Sequence, residues 1–421
     1  MKKLRQLLIF GLCLLTTVTL LSACTSHPKS AASSRVTITF WHGMTGPRKT
    51  ALNKMIRDFN QSQSKYKVIG HSQGNSTALQ QKITAAAKSK TLPTIAQTAY
   101  TNTPDYVKGG FVTSFDPYIN KTELSDIYPA FLQSSKYQGK YYAMPFSKSV
   151  RVLFYNQDLL KQEGLSLPKT WMGIQKLGPQ LKAKGITTIA FDQSYDAELD
   201  GLVRQSGASF FPRPNNKVNI ASKRALAATH IIWDMLQNGT AVTAGTDGYG
   251  STKFLAGKTL FYSGSSAGIS TMLASTPKGI HWRTAPLPSY QGKRATTISG
   301  SDIVMFKSAS TAQRKGGAAF VKFLLNKKQT IYWAEKTGYV PLVKSAQMDK
   351  GYQQYLAKNP TAKAAEQSLS FGFQDSAFLG YNQARLAMLK AISEMTANHV
   401  TPEKALPALQ TQMEQIVKSA Q

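Results

Sequence analysis

From Val36 onward the chain alternates between two hydrophobic periods. Val36-Thr37-Ile38-Thr39-Phe40-Trp41 repeats with period two, as a half-buried strand does. Gly43, Gly46 and Pro47 interrupt it, and Pro47 suits the first turn of a helix, where an N–H has no intrahelical partner anyway. Leu52, Met55, Ile56 and Phe59 then recur at helical spacing on one face. Residues 66–69 predict a second strand. Ser76 reads as the cap of a helix carrying Leu79, Ile83 and Ala86, residues 93–97 as a third strand, and 105–108 as a short helix. Strands separated by helices need crossover connections, so this rhythm predicts an α/β lobe built on a largely parallel sheet.

The rhythm continues with more breaks. Residues 141–145 and 150–155 predict two strands bracketing a turn. A helix follows from Pro168 to Leu181, a strand over 186–191, and a helix over 222–236 with Ser222 as its cap. Residues 260–262 read as a short strand entering a small-residue turn over 263–268, and 297–301 lead into a strand over 303–306. Helices dominate the remainder, over 316–325, 328–335, 383–395 and 402–419. No internal repeat and no long low-complexity tract interrupts this order.

The first residues obey other rules. Lys2, Lys3 and Arg5 precede an apolar run from Leu7 to Leu21, which then meets Leu21-Ser22-Ala23-Cys24. That layout predicts a signal peptide over 1–23, and the last four residues resemble a bacterial lipobox, in which Cys24 becomes the lipidated first residue. Residues 24–35 would be the lipidated cysteine and a Ser-, Ala- and Thr-rich tether. Two acyl chains on Cys24 suffice for stable anchoring, so the expected location is the extracellular face of the cell membrane.

The 421 residues hold 51 Lys and Arg against 21 Asp and Glu, a formal charge of +30. Removal of Lys2, Lys3 and Arg5 leaves +27. Such a chain calls for an anionic surface, partner or ligand. Nucleic-acid binders concentrate charge on one element with interleaved aromatics, and no such stripe is present, so no nucleic-acid partner is expected. Cys13 and Cys24 are the two cysteines, which removes disulfides, cysteine-zinc sites and a catalytic cysteine from the folded body. Histidines 27, 42, 71, 230, 281 and 399 show no short metal-ligand spacing, and neither a phosphate-loop lysine nor a GxSxG turn occurs. No metal, cofactor or catalytic residue is expected. Asp192, Asp196, Glu198 and Asp200 stand out as an acidic cluster, read here as a solvated face before a ligand contact or an acid/base pair.

Several segments in one collinear order carry a resemblance. ITFWHGMTG, MPFSKSVRVLFYNQDLLKQEGL, PKTW, KFLAGKTLFYSGSS and FVKFLLNKKQTIYWAEKTGYVP resemble extracellular solute-binding proteins of ABC importers, of the maltose-binding-protein-like class. Within that class the chain is most similar to the glycerol-3-phosphate-binding proteins, over essentially 36–421. The resemblance implies an α/β two-lobe periplasmic-binding-protein-like fold of the class II type, with ligand in a cleft between lobes joined by hinge strands. Lobe one would take 36–147 plus 303–345, and lobe two 148–302 plus 346–421.

The resemblance also implies a ligand set: Ser149, Ser265, Gly300, Tyr339 and Arg385. Two family positions are altered. A first-lobe tyrosine is replaced by Ser76, and an acidic residue by Tyr100, an exchange in which Tyr100 would supply the missing aromatic surface. Tyr195, Asp196 and Glu198 stand where the family has paired tryptophans, and a more acidic pocket favours hydroxyls or a cationic headgroup over a bare phosphate monoester. The implied function is a non-catalytic, monomeric receptor delivering glycerol-3-phosphate or a glycerophosphodiester to membrane permease subunits. A sugar or oligosaccharide binder is the alternative, with Tyr100, Trp41 and Tyr195 stacking on sugar rings. A secreted carbohydrate-active enzyme using the 192–200 carboxylates and an adhesin held by charge to wall polymers are the readings from other classes.

Overall fold

The computed structural model describes residues 35–212, 217–245, 248–375 and 377–420. The expected leader, Cys24 and most of the tether lie outside these residues. The opening rhythm appears as β1 (Val36–His42), α1 (Gly46–Ser62), β2 (Tyr66–Ser72), α2 (Ser76–Ser89), β3 (Ile95–Ala99) and α3 (Thr103–Lys108). β1 pairs in parallel with both β2 and β3. Asn75, not Ser76, caps α2: its side chain accepts from the Ala78 N–H at 2.9 Å, which leaves Ser76 as the first helical residue.

The largest departure from the expected elements is a single strand, β4 (Ala143–Asn156), in place of two strands and a turn. Residues 146–149 stay extended because a neighbour takes their hydrogen bonds. Ser147, Lys148 and Ser149 pair with Ser301, Gly300 and Ser299. Small polar residues signal a turn only when no partner strand waits beside them. α4 (Trp171–Ala183), β5 (Thr187–Phe191), α5 (Asp196–Gln205), α6 (Lys223–Gln237) and β6 (Ala241–Thr243) follow. β7 (Thr259–Ser265) extends into the expected small-residue turn as far as Ser265, with 266–268 forming the turn, and β9 (Thr296–Phe306) is continuous through residues 297–301, because neighbouring strands take their hydrogen bonds. Between them lies β8 (Trp282–Pro286). α7 (Thr311–Leu325), α8 (Lys327–Thr337), α9 (Tyr381–Ala397) and α10 (Pro402–Ser419) are the main later helices. Among the described residues no helix is long and apolar enough to cross a membrane.

The sheet path runs β2-β1-β3-β9-β4-β7-β5-β6. It is parallel at each end and antiparallel in the middle, where β9 meets β3 and β4, and β4 meets β7. The first part of β4 lies against β9, and its last part lies between β7 and β8. The two long strands thus belong to both halves of the molecule. Helices cover each half and bury separate cores, one around Phe40, Leu52, Phe59 and Phe320, the other around Ile189, Leu199, Ile232, Met388 and Leu406. This is a two-lobed α/β fold with crossing strands between the lobes.

Gly300 makes that crossing possible. Its φ is +133°, and a Cβ there would sit 1.8 Å from the Ser147 carbonyl oxygen. The neighbouring register shifts between Ser301 and Asp302, a bulge that bends β9. Gly300→Ala is expected to lower stability by more than ~2 kcal/mol, measured by urea unfolding, because backbone rather than a flexible side chain blocks the new methyl.

In the second lobe a histidine ties α6 to α10. His230 Nδ1 lies 2.9 Å from Asp234, and Nε2 lies 2.7 Å from Glu403 in the first turn of α10. Burial alone would lower its pKa, but bonding and charge from Asp234 and Glu403 outweigh that and hold it above the ordinary 6.5. Because the folded value is raised, this stabilisation is full below the unfolded pKa and is lost as pH rises through the folded one. His230→Gln should therefore depress the melting temperature at pH 5 and converge on the parent above the folded pKa, in a pH series of thermal melts.

Candidate functional site

The start of α2, the C-terminal end of β3, the bulge of β9 and the second lobe border two joined cavities, of about 310 and 610 Å3. Gln80, Ala99, Asn102 and Gly300 line both. The smaller reaches Ser76 and Thr77 at the start of α2, Gln97 and Thr98 on β3, and Ser301 and Tyr339. The larger runs to Arg151, Asp192, Asp196, Asp200, Tyr249, Tyr381 and Arg385. A crevice at the carboxyl ends of parallel strands is where α/β folds place ligands, because helix N-termini and loop backbones converge there.

The first-lobe wall is neutral and amide-rich. Gln97 accepts from the Gly43 N–H at 3.0 Å and donates to Ser301 Oγ at 2.7 Å. Asn102 donates to Thr98 Oγ1 at 3.1 Å, and its oxygen accepts from Gln80 Nε2 at 3.1 Å. These bonds hold the amides in one orientation before any solute arrives.

The second-lobe wall is acidic, and the cluster expected on a solvated face is largely buried. The first turns of α5, an element absent from the sequence-based reading, carry Asp196, Glu198 and Asp200. Glu198 and Asp200 are buried. Arg151 on β4 donates from Nε to Glu198 at 2.7 Å and from Nη2 to Asp192 at 2.8 Å. Ser263 adds a bond to Glu198 at 2.7 Å, and Tyr262 Oη donates to Asp192 at 2.8 Å. The cluster avoids solvation because a guanidinium on the crossing strand supplies directed donors. Burial still pushes the Glu198 carboxyl above the usual range against the pull of Arg151. Arg385 on α9 reaches Asp196 with Nη2 at 2.8 Å and Nε at 3.1 Å. Three of the four carboxylates, Asp192, Asp196 and Glu198, thus meet two guanidiniums.

The residues named by the resemblance fall into two groups. Ser76, Tyr100, Gly300, Tyr339 and Arg385 line the joined cavities. Ser149 and Ser265 bond each other at 3.0 Å between β4 and β7, and neither lines those cavities. Ser265 also caps a short turn by accepting from the Ala267 N–H at 3.3 Å. Tyr339 stacks on Trp333, with ring centroids 5.8 Å apart and planes 15° apart, so one face is already used. Tyr195 corrects the sugar-stacking expectation: it is buried in the second core and its hydroxyl lies 3.1 Å from Thr396. Trp41 lies beneath Lys82, 5.7 Å from ring centroid to Nζ, and lines neither cavity.

Sequence reasoning missed Gln80, Gln97, Asn102, Arg151 and Asn382. Arg151 lies within the segment MPFSKSVRVLFYNQDLLKQEGL, and the other four sit in none of the segments that carry the resemblance. The one available signal was strand alternation, which places Gln97 and Ala99 on the same face of β3. Among the described residues no cluster of three or more His, Cys, Asp or Glu is arranged to hold a metal ion.

Two contacts cross the cleft without any ligand. The hydroxyls of Tyr100 and Tyr381 lie 3.3 Å apart, with the rings edge to face. Asn382 donates to Asn102 at 2.8 Å and lies 3.3 Å from Asp105. Beneath Tyr100, Lys148 is buried with its Nζ 5.5 Å from the ring centroid. That Nζ donates to Asp302 Oδ1 at 2.5 Å and lies 3.3 Å from both Ser134 and Gln374. Ser135 adds a bond to Asp302 at 2.6 Å.

The family model for bacterial extracellular solute-binding proteins matches residues 54–363. The chain belongs to that family. The sn-glycerol-3-phosphate-binding periplasmic protein UgpB of Brucella melitensis is 27% identical over 366 residues, covering 82% of this chain and 84% of the relative. UgpB of Yersinia enterocolitica is 26% identical over 361 residues, covering 81% and 82%. The solved structure of UgpB from Mycobacterium tuberculosis with glycerophosphocholine superposes with a TM-score of 0.80 at 21% identity, covering 91% of this chain and 98% of that one. The cyclic alpha-maltosyl-1,6-maltose binding protein of Arthrobacter globiformis gives 0.81 at 21% identity, covering 91% and 100%. The chain is thus a solute-binding protein of the kind that serves ABC importers, and its place of work is outside the cytoplasmic membrane.

Two outcomes follow from the geometry. Lys148→Met leaves Asp302 buried without its cation, and should cost ~3–5 kcal/mol in denaturant unfolding; the double change Lys148→Met with Asp302→Leu should recover much of that. Asn382→Ala removes a cross-cleft bond to Asn102, and should weaken solute binding about 2–10-fold with little change in melting temperature.

Proposed function

We propose that the chain captures a glycerophosphodiester with a cationic head group and delivers it to the permease subunits of an ABC importer. The observation that carries this reading is the charge difference between the ends of the joined cavities. At one end stand neutral hydroxyls and amides, around Ser76, Thr77 and Gln97 at the start of a helix whose first turn holds no acid. At the other end stand Asp192, Asp196 and Asp200, with Arg151 and Arg385. A zwitterionic solute can match both, with phosphate toward the helix N-terminus and cation toward the carboxylates. A phosphate monoester would bring two negative charges to an acidic wall. Relatives named for sn-glycerol-3-phosphate support the chemical class. The protein is a binder, with Tyr100, Gly300, Tyr339, Arg385 and Ser76 as ligand contacts and Ser149 with Ser265 as supports behind them.

Lobe one comprises 36–147 plus 303–345 and lobe two 148–302 plus 346–421 in this reading. Residues 1–23 are a cleaved signal peptide, Cys24 carries the lipid, and the receptor works as a monomer on the outer face of the membrane. Cys24→Ala should shift the protein from the membrane fraction into the medium, as read by immunoblot.

An oligosaccharide is the second reading. The side-by-side amides and carboxylates suit sugar hydroxyls, and the two joined cavities offer an extended groove. Calorimetric titration of residues 35–421 with glycerophosphocholine, glycerol-3-phosphate and a malto-oligosaccharide separates the two. Saturable one-site binding of glycerophosphocholine, at least tenfold tighter than glycerol-3-phosphate and weakened by Arg385→Ala, is the expected result. Binding of the oligosaccharide alone would retain the importer role and discard the phosphodiester.

A further inference from the structure

The excess positive charge has a place in the fold. The parallel arrangement of the first lobe collects several chain ends at the pole opposite the cleft: the starts of β1 and β2, the ends of α1, α2 and α3, and the start of α7. Gln313 near the start of α7 reaches the Thr37 carbonyl at 3.4 Å, and Lys307 donates its N–H to the Phe111 carbonyl at 2.9 Å, which places these ends together. Arg35, Lys65, Lys88, Lys90, Lys307 and Lys315 are all exposed on them. Asp58 is the sole acid between residues 35 and 104, and it is paired with Lys54 at 2.6 Å. Residues 307–322 contain no acid. The segments that meet at this pole are therefore strongly cationic.

The chain also enters the fold at this pole. The Val36 N–H donates to the Lys65 carbonyl at 3.0 Å, and Arg35 Nη1 to the Asn60 carbonyl at 2.9 Å. The ten residues from Thr25 to Ser34 can span at most ~35 Å, so a membrane-held N-terminus keeps the pole close to the lipid surface. We infer that this basic pole of the first lobe docks on an anionic lipid bilayer. The exposed large apolar residues among those described are Ile69, Met172, Tyr249, Leu273, Met348 and Leu386, and Ile69 alone lies on one of these elements. The contact is thus electrostatic and peripheral, screened by salt, and contributes through several lysines and arginines together. The cleft lies at the opposite ends of the same strands, so a bilayer at the pole leaves it open to solute. The inference goes beyond solute capture; its choice of a bilayer rests on the proposed lipid at Cys24 and not on the identity of the solute.

Residues 35–421 contain every described helix and strand, and lack Cys24, so vesicle binding of this body reports the pole without the lipid chain. Cosedimentation is measured with phosphatidylcholine vesicles, with vesicles containing about one-third phosphatidylglycerol, and with soluble poly(glycerol phosphate). Binding to the anionic vesicles alone is expected, falling at least tenfold from low to high salt. Reversal of four pole charges, Lys65→Glu, Lys88→Glu, Lys307→Glu and Lys315→Glu together, should reduce it tenfold or more. Reversal of four exposed second-lobe charges, Lys223→Glu, Lys258→Glu, Lys404→Glu and Lys418→Glu, should change it less than about twofold. Circular dichroism and solute titration confirm that both variants fold and that the cleft is untouched. No binding to anionic vesicles, equal losses in the two variants, or binding to the soluble polymer in place of vesicles would each overturn the assignment.

Discussion

The pairing of β4 with β9 holds the two lobes in one molecule. Each strand is shared by both halves, so a change at their crossing is felt on both sides of the cleft. Two features keep that crossing in register. Gly300 lets the backbones approach where any side chain would strike the Ser147 carbonyl. Lys148 and Asp302, one on each strand, pair inside the protein with Ser134, Ser135 and Gln374 completing their bonds. A buried ion pair adds little net stability over apolar packing, but an unpaired partner costs much. The pair therefore penalises other registers more than it stabilises this one.

The cleft inherits its chemistry from the same crossing. Arg151, three residues beyond Lys148 on β4, gathers Asp192 and Glu198, and so converts an acidic helix start into part of a wall. Gly300 lines both cavities directly. Across from them, Tyr381 and Asn382 at the start of α9 touch Tyr100 and Asn102, so the approach of the lobes is partly stabilised by the protein itself. A solute held between Asn102 on one wall and Asp196 and Arg385 on the other would bridge the same two halves that these contacts join.

Much of the fold was legible in sequence because periodicity is local. The helix of Leu52, Met55, Ile56 and Phe59 and the strand from Val36 announce themselves by spacing alone. The continuous strand β4 did not, because Ser147-Lys148-Ser149 has the composition of a turn and becomes strand only through its pairing with β9. α5 escaped notice for a related reason: Asp196, Glu198 and Asp200 look like a solvated loop until Arg151 meets Glu198 and Arg385 meets Asp196. Tyr195 was assigned to the pocket by its neighbours in sequence, but its side chain turns into the second core.

The sequence by itself determined the α/β rhythm, the family, the absence of cysteine chemistry from the folded body and the large positive charge. These depend on residue counts, on periods of a few residues and on collinear motifs, all of which survive without coordinates. Only the tertiary structure decided which residues share the cleft. Gln80, Gln97, Arg151 and Asn382 are far apart along the chain, and their meeting depends on the order of strands and the crossing of β4 and β9. The tertiary structure also decided where charge accumulates. Asp192, Asp196, Glu198 and Asp200 gather at the cleft, where Arg151 and Arg385 meet three of them, because a carboxylate can be buried only beside a directed partner.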